Sequence, residues 1–335
     1  MQKKTVRFTR STTNIFFHIL TRCNLRCRHC YINPEQHGTS TLSSEQIRQW
    51  LAAFGDDITG ANIVFLGGEP TLHPDLAAAA AHARKIGAGS VTVDTNGYLF
   101  HDILSRTSPE IVDYFSFSLD GATPATNDAI RGKGSYQACL DGLKRAIAAG
   151  YNTSLIYTVS RANIDELPAM TDLVPKLGVD RFFIQVIGIR GKSAQQAAEE
   201  SPQVPAGRWR EEIPAAARTI AGHGITVTYP KVFLDPGEPF ECAGLVADNY
   251  FIFPNGRVYR CPLCEDFPLH SLAFVDNQLV PMPPLNESRF FTLSIPEGCV
   301  MNKLIQPDNL SYTAAGQPEH RVACCMLKEE ISPEK

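Results

Sequence analysis

The 335-residue sequence has no apolar run near the roughly 18–20 residues that a membrane-spanning helix requires. Its alanine-rich stretch DLAAAAAHAR is short and reads as part of a helix. The basic N-terminus MQKKTVRFTRSTTN is followed only by IFFHIL, too short for the apolar segment of a secretory signal and broken by His18. The expectation is a cytoplasmic chain with no membrane partner. An excess of basic residues is also missing: 35 acidic against 31 basic residues leave a net charge of −4. Nucleic acid is therefore not expected as the partner, because phosphate binding needs a basic surface. Neither H-E-x-x-H nor G-x-S-x-G occurs. VIGIRGKS at 186–193 has Val186 where a Walker A loop needs glycine. Hydrolytic and phosphoryl-transfer chemistry thus lack support, and no internal repeat is apparent.

What the chain does have is ten cysteines and a 44% hydrophobic composition with 20% charged residues. Such a composition supports a large buried core and excludes wholesale disorder. In a cytoplasmic chain, clustered cysteines point to metal binding or redox chemistry rather than a disulfide framework. Cys139, alone in the helical pattern SYQACLDGLKRAIAAG, reads as a small buried apolar residue.

Strand-like runs rich in β-branched and aromatic residues alternate with amphipathic segments. The runs are NIFFHIL (14–20), ANIVFL (61–66), SVTVDT (90–95), YFSFSL (114–119), TSLIYTV (153–159) and RFFIQVI (181–187). Helical segments between them stop at glycine, and Pro168 and Pro175 interrupt the last one. Six β units with intervening helices predict an α/β fold with a parallel sheet and right-handed crossovers. The sheet is either doubly wound or curled into an open barrel. In both arrangements ligands face the C-terminal strand ends. GKSAQQAAEESPQVPAG reads as a polar surface loop, followed by a helix and the strand ITVTY. The expected division is a core over 1–190, a linker, helix and strand over 191–235, and a small cysteine-rich domain over 236–335.

Residues 21–31 read TRCNLRCRHCY, a C-x3-C-x2-C set. Zinc sites favour separated C-x2-C pairs and four ligands. A Cys3His zinc site using His29 would need adjacent His29 and Cys30 to reach one small ion. Three close thiolates suit a four-iron cubane better, each binding one corner and leaving the fourth iron open.

CNLRCRHCY resembles the signature of the radical S-adenosylmethionine (SAM) superfamily. GGEP at 67–70 is similar to that family's GGE motif, SLDG at 118–121 to its ribose-side segment, and NDAIRGKGSY follows as in many members. The resemblance covers roughly residues 13–190 and implies a partial (β/α)6 TIM-like barrel. It implies that Cys23, Cys27 and Cys30 hold a [4Fe–4S] cluster whose fourth iron is chelated by SAM. Reductive cleavage of SAM would give a 5′-deoxyadenosyl radical that abstracts hydrogen from substrate. Gly67 and Gly68 would allow close backbone approach, Glu69 would accept from the SAM ammonium, and Pro70 would stiffen the turn. Ser118 and Asp120 offer acceptors for ribose hydroxyls, Arg131 or Arg161 would pair with the SAM carboxylate, and Asn96 is a further cleft-facing candidate. Taken alone, each of these residues also has an ordinary reading as a turn, strand exit or surface charge. His29 is expected to pack beside the cluster.

A second group begins with CAGLVADNYFIFPNGRVYRCPLC at 242–264. NYFIF-PNG-RVYRC reads as a β-hairpin that would bring Cys261 near Cys242. This stretch resembles the start of SPASM/twitch extensions, which hold auxiliary iron–sulfur clusters. The later cysteines, Cys299 and the adjacent Cys324 and Cys325, depart from the full SPASM spacing. The resemblance therefore implies one auxiliary [4Fe–4S] cluster held by Cys242, Cys261, Cys264 and one of the later cysteines. A structural zinc knuckle is the alternative.

The expected activity is radical SAM chemistry in peptide, protein or cofactor maturation, with oxidation or rearrangement of a small metabolite as the alternative. A non-enzymatic zinc or iron–sulfur electron-transfer protein is the reading from another class. Expected partners are an electron donor of flavodoxin or ferredoxin type and a peptide or small-molecule substrate. About a dozen residues precede the first strand, so leader-peptide recognition would fall to a separate partner.

Overall fold

The structure is a computed structural model that describes residues 1–196 and 200–333. Its strands are β1 (Gln2–Val6), β2 (Asn14–His18), β3 (Asn62–Leu66), β4 (Ser90–Thr95), β5 (Tyr114–Ser118), β6 (Asn152–Val159), β7 (Arg181–Val186), β8 (Thr226–Pro230), β9 (Asn249–Ile252), β10 (Arg257–Tyr259), β11 (Leu272–Val275), β12 (Gln278–Pro281) and β13 (Lys328–Ser332). Among the described residues they form one open mixed sheet, ordered β1-β13-β8-β7-β6-β5-β4-β3-β2-β9-β10-β11-β12. Strands β2 to β9 of that order pair in parallel, from β8 across to β9. This is the α/β arrangement of an open, partial TIM-like barrel.

Strand alternation explains the layering. Ile15, Phe17, Ile63, Phe65, Val91, Val93, Phe115, Phe117, Leu155 and Phe182 are fully buried and pack with the crossover helices. The alternate residues, among them Asp94, Ser154 and Phe183, keep part of their surface accessible. A period of two thus gives one dry apolar face and one inner face of mixed polarity. The helices start and stop on local signals. Ser43 and Gln46 close a reciprocal capping box before Ser44–Ala52. Gly178, at φ +72°, ends Leu167–Leu177. Pro168 occupies the first turn of that helix, where its missing N–H costs nothing, and Pro175 lies inside it.

Two expectations are corrected. ITVTY does not stand apart from the core: β8 pairs in parallel with β7, with Phe182 opposite Val227, and adds a seventh strand to the six read from sequence. The stretch 191–207 is not a plain surface loop either. Lys192–Gln196 is helical, while Ser193 and Gln203 are buried. Ser193 Oγ donates to Gly188 O (2.5 Å) and Gln203 Nε2 to Ile305 O (2.8 Å), so polar side chains dock this segment through backbone carbonyls. Residues 197–199 of the stretch lie outside the described residues.

The later chain extends both sheet edges. β9 and β10 form the hairpin around Pro254-Asn255-Gly256, with Gly256 at φ +86°. β13 inserts antiparallel between β8 and β1. No helix among the described residues is long and apolar enough to cross a membrane.

Candidate active site

The C-terminal ends of the parallel strands carry the residues singled out by sequence. The cysteine loop follows β2, Gly67–Pro70 follows β3, Asn96 follows β4, and Asp120 follows β5. Ser118 is the last residue of β5, and Arg161 follows β6.

The turn after β3 is pressed against the cysteine loop. Gly68 N–H donates to Leu20 O (3.0 Å) and Glu69 N–H to Arg22 O (3.0 Å). A Cβ on Gly67 would stand 2.6 Å from Leu20 O, and one on Gly68 2.4 Å from Arg22 O. Only glycine permits that approach. The close contact that these glycines allow is to the chain's own backbone, which sets the position of the first cysteine.

Glu69 is 1% exposed. Its carboxylate accepts from Thr71 N–H (3.1 Å), Thr71 Oγ1 (2.6 Å), Thr95 Oγ1 (2.9 Å) and Asn96 N–H (2.8 Å). Burial raises its pKa, and these donors act against the rise. Asn96 Nδ2 in turn donates to Asn24 Oδ1 (2.8 Å) and approaches Cys23 Sγ (3.8 Å). Glu69 therefore ties the ends of β3 and β4 together beneath the cysteine loop. Pro70 is buried at the start of the short 3-10 turn Pro70–Leu72.

Asp120 is completely buried and faces a guanidinium and an imidazole. Arg131 Nε lies 2.6 Å from its Oδ2, and His29 Nε2 lies 3.1 Å from the same oxygen. Thr158 N–H donates to Oδ1 (2.7 Å). Burial pushes the Asp120 carboxyl up, but Arg131 and His29 outweigh it and bring the pKa to about 2. The main chain joins in: Arg28 N–H donates to Ile130 O (2.9 Å), and Cys27 Sγ lies 3.8 Å from Arg131 O. Thus His29 and Arg131 meet on one carboxylate and brace the loop carrying Cys27 and Cys30. Arg161 is exposed and bound elsewhere, its Nε donating to Gln203 O (2.8 Å). Among the described residues, no hydrogen bond or ion pair links it to the cysteine loop.

Cys23, Cys27 and Cys30 are free thiols close enough to influence one another's ionisation. Burial raises Cys23 to about 11 and Cys27 above its ordinary value, with Arg131 opposing the rise at Cys27. The later cysteines form a second group. Cys242, Cys261, Cys299, Cys324 and Cys325 line one largely apolar cavity, and Cys264 lies against Cys261. Burial raises Cys242 to about 12. Within the adjacent pair, Cys325 lowers the Cys324 thiol while Cys325 itself is raised. Among the described residues, no three His, Cys, Asp or Glu side chains converge on a single-ion position. The donor sets nonetheless fit iron–sulfur groups: each is unoxidised sulfur, gathered in loops, and buried enough that metal must displace the thiol protons.

Sequence reasoning missed a segment that joins the two groups. After β7, Arg190 lies over the Tyr31 ring (4.8 Å), forms an ion pair with the buried Glu265, and donates to Pro262 O (2.7 Å) between Cys261 and Cys264. Gly191 N–H donates to Asp266 Oδ2 (2.8 Å) and Lys192 N–H to Cys30 O (2.9 Å). His18 Nδ1 lies 2.9 Å from Ile252 O, so that nitrogen carries the proton and Nε2 accepts from Tyr31 Oη (2.7 Å). Burial, then His37, lowers His18 to about 3 and keeps it neutral.

The inner sheet face also holds charges that sequence reasoning missed. Asp94 sits opposite Ser116, and Ser116 opposite Ser154, with Ser116 Oγ donating to Ser154 Oγ (3.3 Å). Lys328 Nζ lies 4.6 Å from the Phe183 ring and has no hydrogen bond or ion pair among the described residues. Burial raises Asp94 to about 7 and lowers Lys328. Both groups are only partly buried by surface area and keep some accessible surface.

The Radical SAM superfamily model matches residues 17–174. Fe-coproporphyrin III synthase of Methanosarcina barkeri is 32% identical over 192 residues, 56% of this chain and 47% of that protein. PqqA peptide cyclase of Streptomyces rochei is 29% identical over 249 residues, 72% of this chain and 66% of that protein. The chain thus spans between about half and two thirds of these curated relatives' length. The crystal structure of Streptococcus suis SuiB bound to precursor peptide SuiA aligns with a TM-score of 0.61 at 14% identity, over 90% of this chain and 66% of that one, a likeness of fold. Together with the three-cysteine loop at the end of β2, the match shows that residues 17–174 form a domain of the Radical SAM superfamily.

Proposed function

We propose that Cys23, Cys27 and Cys30 hold a [4Fe–4S] cluster beside bound SAM, and that the enzyme abstracts hydrogen from a peptide or cofactor precursor. The observation that carries this reading is the loop itself: three free thiols and no fourth sulfur, at the mouth of the inner sheet face. When bound, the cluster supplies one electron to the sulfonium of SAM and makes the hydrogen-abstracting radical accessible. The chain's own groups orient and shield. Asp120 fixes His29 and Arg131 beneath the loop, while Glu69 and Asn96 fix the turn that carries Cys23. Ser118 and the backbone around Gly67–Pro70 border the space where SAM would lie.

The inner face with Asp94, Ser116, Ser154 and Lys328 supplies the substrate chamber in this reading, since its polar groups lie below the same strand ends. Cys242, Cys261 and Cys264, with one of Cys299, Cys324 and Cys325, would hold an auxiliary cluster. The peptide named in PqqA peptide cyclase, and the precursor peptide bound by SuiB, support a peptide substrate. Fe-coproporphyrin III synthase supports a cofactor precursor.

The test is anaerobic reconstitution with SAM and dithionite, followed by quantification of 5′-deoxyadenosine. Cys23→Ala, Cys27→Ala and Cys30→Ala should each abolish its formation; wild-type yield in all three would sink the reading. Iron content separates one cluster from two, at roughly four irons per cluster.

A further inference from the structure

A cleft of about 630 Å³ opens beside the cavity of the later cysteines. Gly244, Arg260 and Phe291 form a wall common to both. Arg10, Arg260 and Arg289 line the cleft, and Asp248 is its one lining carboxylate among the described residues. Asp248 lies 3.1 Å from Arg260 and offsets that charge. Arg10 Nη2 donates to Leu245 O (2.7 Å) and Arg289 Nε to Pro284 O (3.0 Å). Carbonyl oxygens hold these side chains in place without cancelling their charge, so Arg10 and Arg289 present two uncompensated positive charges on a chain whose net charge is −4. Leu245, Leu285 and Leu293, 47%, 79% and 47% exposed, belong to the segments that build the cleft rim. Arginine is enriched at protein interfaces, and exposed apolar residues grouped beside it mark an interaction surface. A small-anion pocket would instead aim several donors at one point.

We propose that this cleft docks an acidic one-electron carrier of flavodoxin type against the wall of the later-cysteine cavity. The inference rests on the iron–sulfur reading of that cavity. Charge complementarity selects an acidic partner, and the fixed arginines would steer its approach in a salt-dependent way. Proximity gives the reason for a redox partner: Arg260 lines the cleft and is bonded to Cys261 through the main chain. In each encounter one electron leaves the reduced flavin, which is oxidised by one electron, and one iron–sulfur group of the chain is reduced by one.

The test uses a purified bacterial flavodoxin as probe and the full chain with Arg10→Glu/Arg289→Glu, neither residue belonging to the cysteine sites. Equilibrium binding to the wild type should weaken with added salt, and the double variant should bind at least about tenfold more weakly. In the reconstituted enzyme, 5′-deoxyadenosine formation driven by reduced flavodoxin should fall by a similar factor, while dithionite-driven formation stays at the wild-type rate. Equal flavodoxin affinity in wild type and variant overturns the proposal. So does an acidic peptide that binds this cleft when flavodoxin does not. Absence of 5′-deoxyadenosine from the wild type with dithionite would defeat the catalytic reading instead, and the binding measurement would still decide the docking surface.

Discussion

Arg131 Nε stands 2.6 Å from the buried Asp120 carboxylate, which also lies 3.1 Å from His29 between two of the loop cysteines. Removing the carboxylate's charge leaves a buried guanidinium unpaired, which typically costs about 3–5 kcal/mol. Asp120→Asn should lower the urea midpoint of the metal-free chain accordingly and reduce the iron retained after reconstitution. The sign of the pH effect follows from the depressed carboxyl. The Asp120 contribution is fully present above the unfolded value of 3.8 and is lost as pH falls toward about 2. The wild-type advantage over Asp120→Asn should shrink across that window; an unchanged difference would rule out the ion pair as its source.

Asp94 acts in the opposite sense. Burial raises its carboxyl from 3.8 to about 7, with Ser116 opposing. A raised acid costs nothing while both folded and unfolded forms are protonated, and it destabilises the fold as pH rises from 3.8 to about 7. At about 1.4 kcal/mol per pH unit, the cost approaches about 4 kcal/mol at neutral pH. Asp94→Asn should therefore be more stable than wild type at pH 8 and nearly equal to it at pH 4. Denaturant unfolding at the two pH values checks this, and equal stability at pH 8 would count against a buried ionising carboxyl.

The contrast between Asp94 and Cys23 shows what was legible in the sequence. Cys23, Cys27 and Cys30 are local, and their spacing alone limits which metal groups suit the loop. The parallel strands were legible because alternation and glycine stops are local too. Asp94 and Lys328 are not local: each sits in an ordinary strand pattern, and only β13 docking beside β8 brings Lys328 onto the inner face with Asp94. The same holds for Arg190, which follows a strand in sequence but meets Tyr31 and Glu265 only through the tertiary fold. Arg161, offered beside Arg131 as a partner for the SAM carboxylate, is bonded to the chain at 202–203, a contact with no local signal in the sequence. The β9–β10 hairpin announced itself through Pro-Asn-Gly, whereas the convergence of Cys299, Cys324 and Cys325 on Cys242 depends on irregular loops without a repeating pattern.

Gly191 offers a steric test of the joint between Cys30 and the segment after β7. Its φ is +54°, and an added Cβ would stand 2.6 Å from Cys30 O and 2.7 Å from Tyr31 O. Both the left-handed backbone and the contact disfavour any side chain, so Gly191→Ala should destabilise by about 1–3 kcal/mol. Displacing Cys30 should also lower iron retention at the first site. Retention can be read in a Cys242→Ala/Cys261→Ala background, where the later group is disabled. Wild-type stability and iron content in Gly191→Ala would mean that the joint yields freely.

Arg190 and Glu265 provide the last test, because their ion pair ties the first cysteine loop to the second. Glu265 is 2% exposed, and burial pushes its carboxyl up to about 8 while Arg190 draws it down. Arg190→Met removes the counter-charge, the stack on Tyr31 and the bond to Pro262 O in one step. The expected cost is about 3–5 kcal/mol when unfolding is measured above pH 8, where Glu265 is ionised beside Arg190 and would lose its counter-charge. If that is the origin, Arg190→Met/Glu265→Gln should recover much of the loss, since the amide keeps the shape without the charge. Arg190→Lys should fall between wild type and Arg190→Met, because an ammonium keeps the charge but loses the planar fork that reaches Glu265 and Pro262 together. A double-mutant cycle from urea unfolding separates these terms. Additive losses from Arg190→Met and Glu265→Gln would show that the two residues act independently, and that the cysteine loops are not joined through this pair.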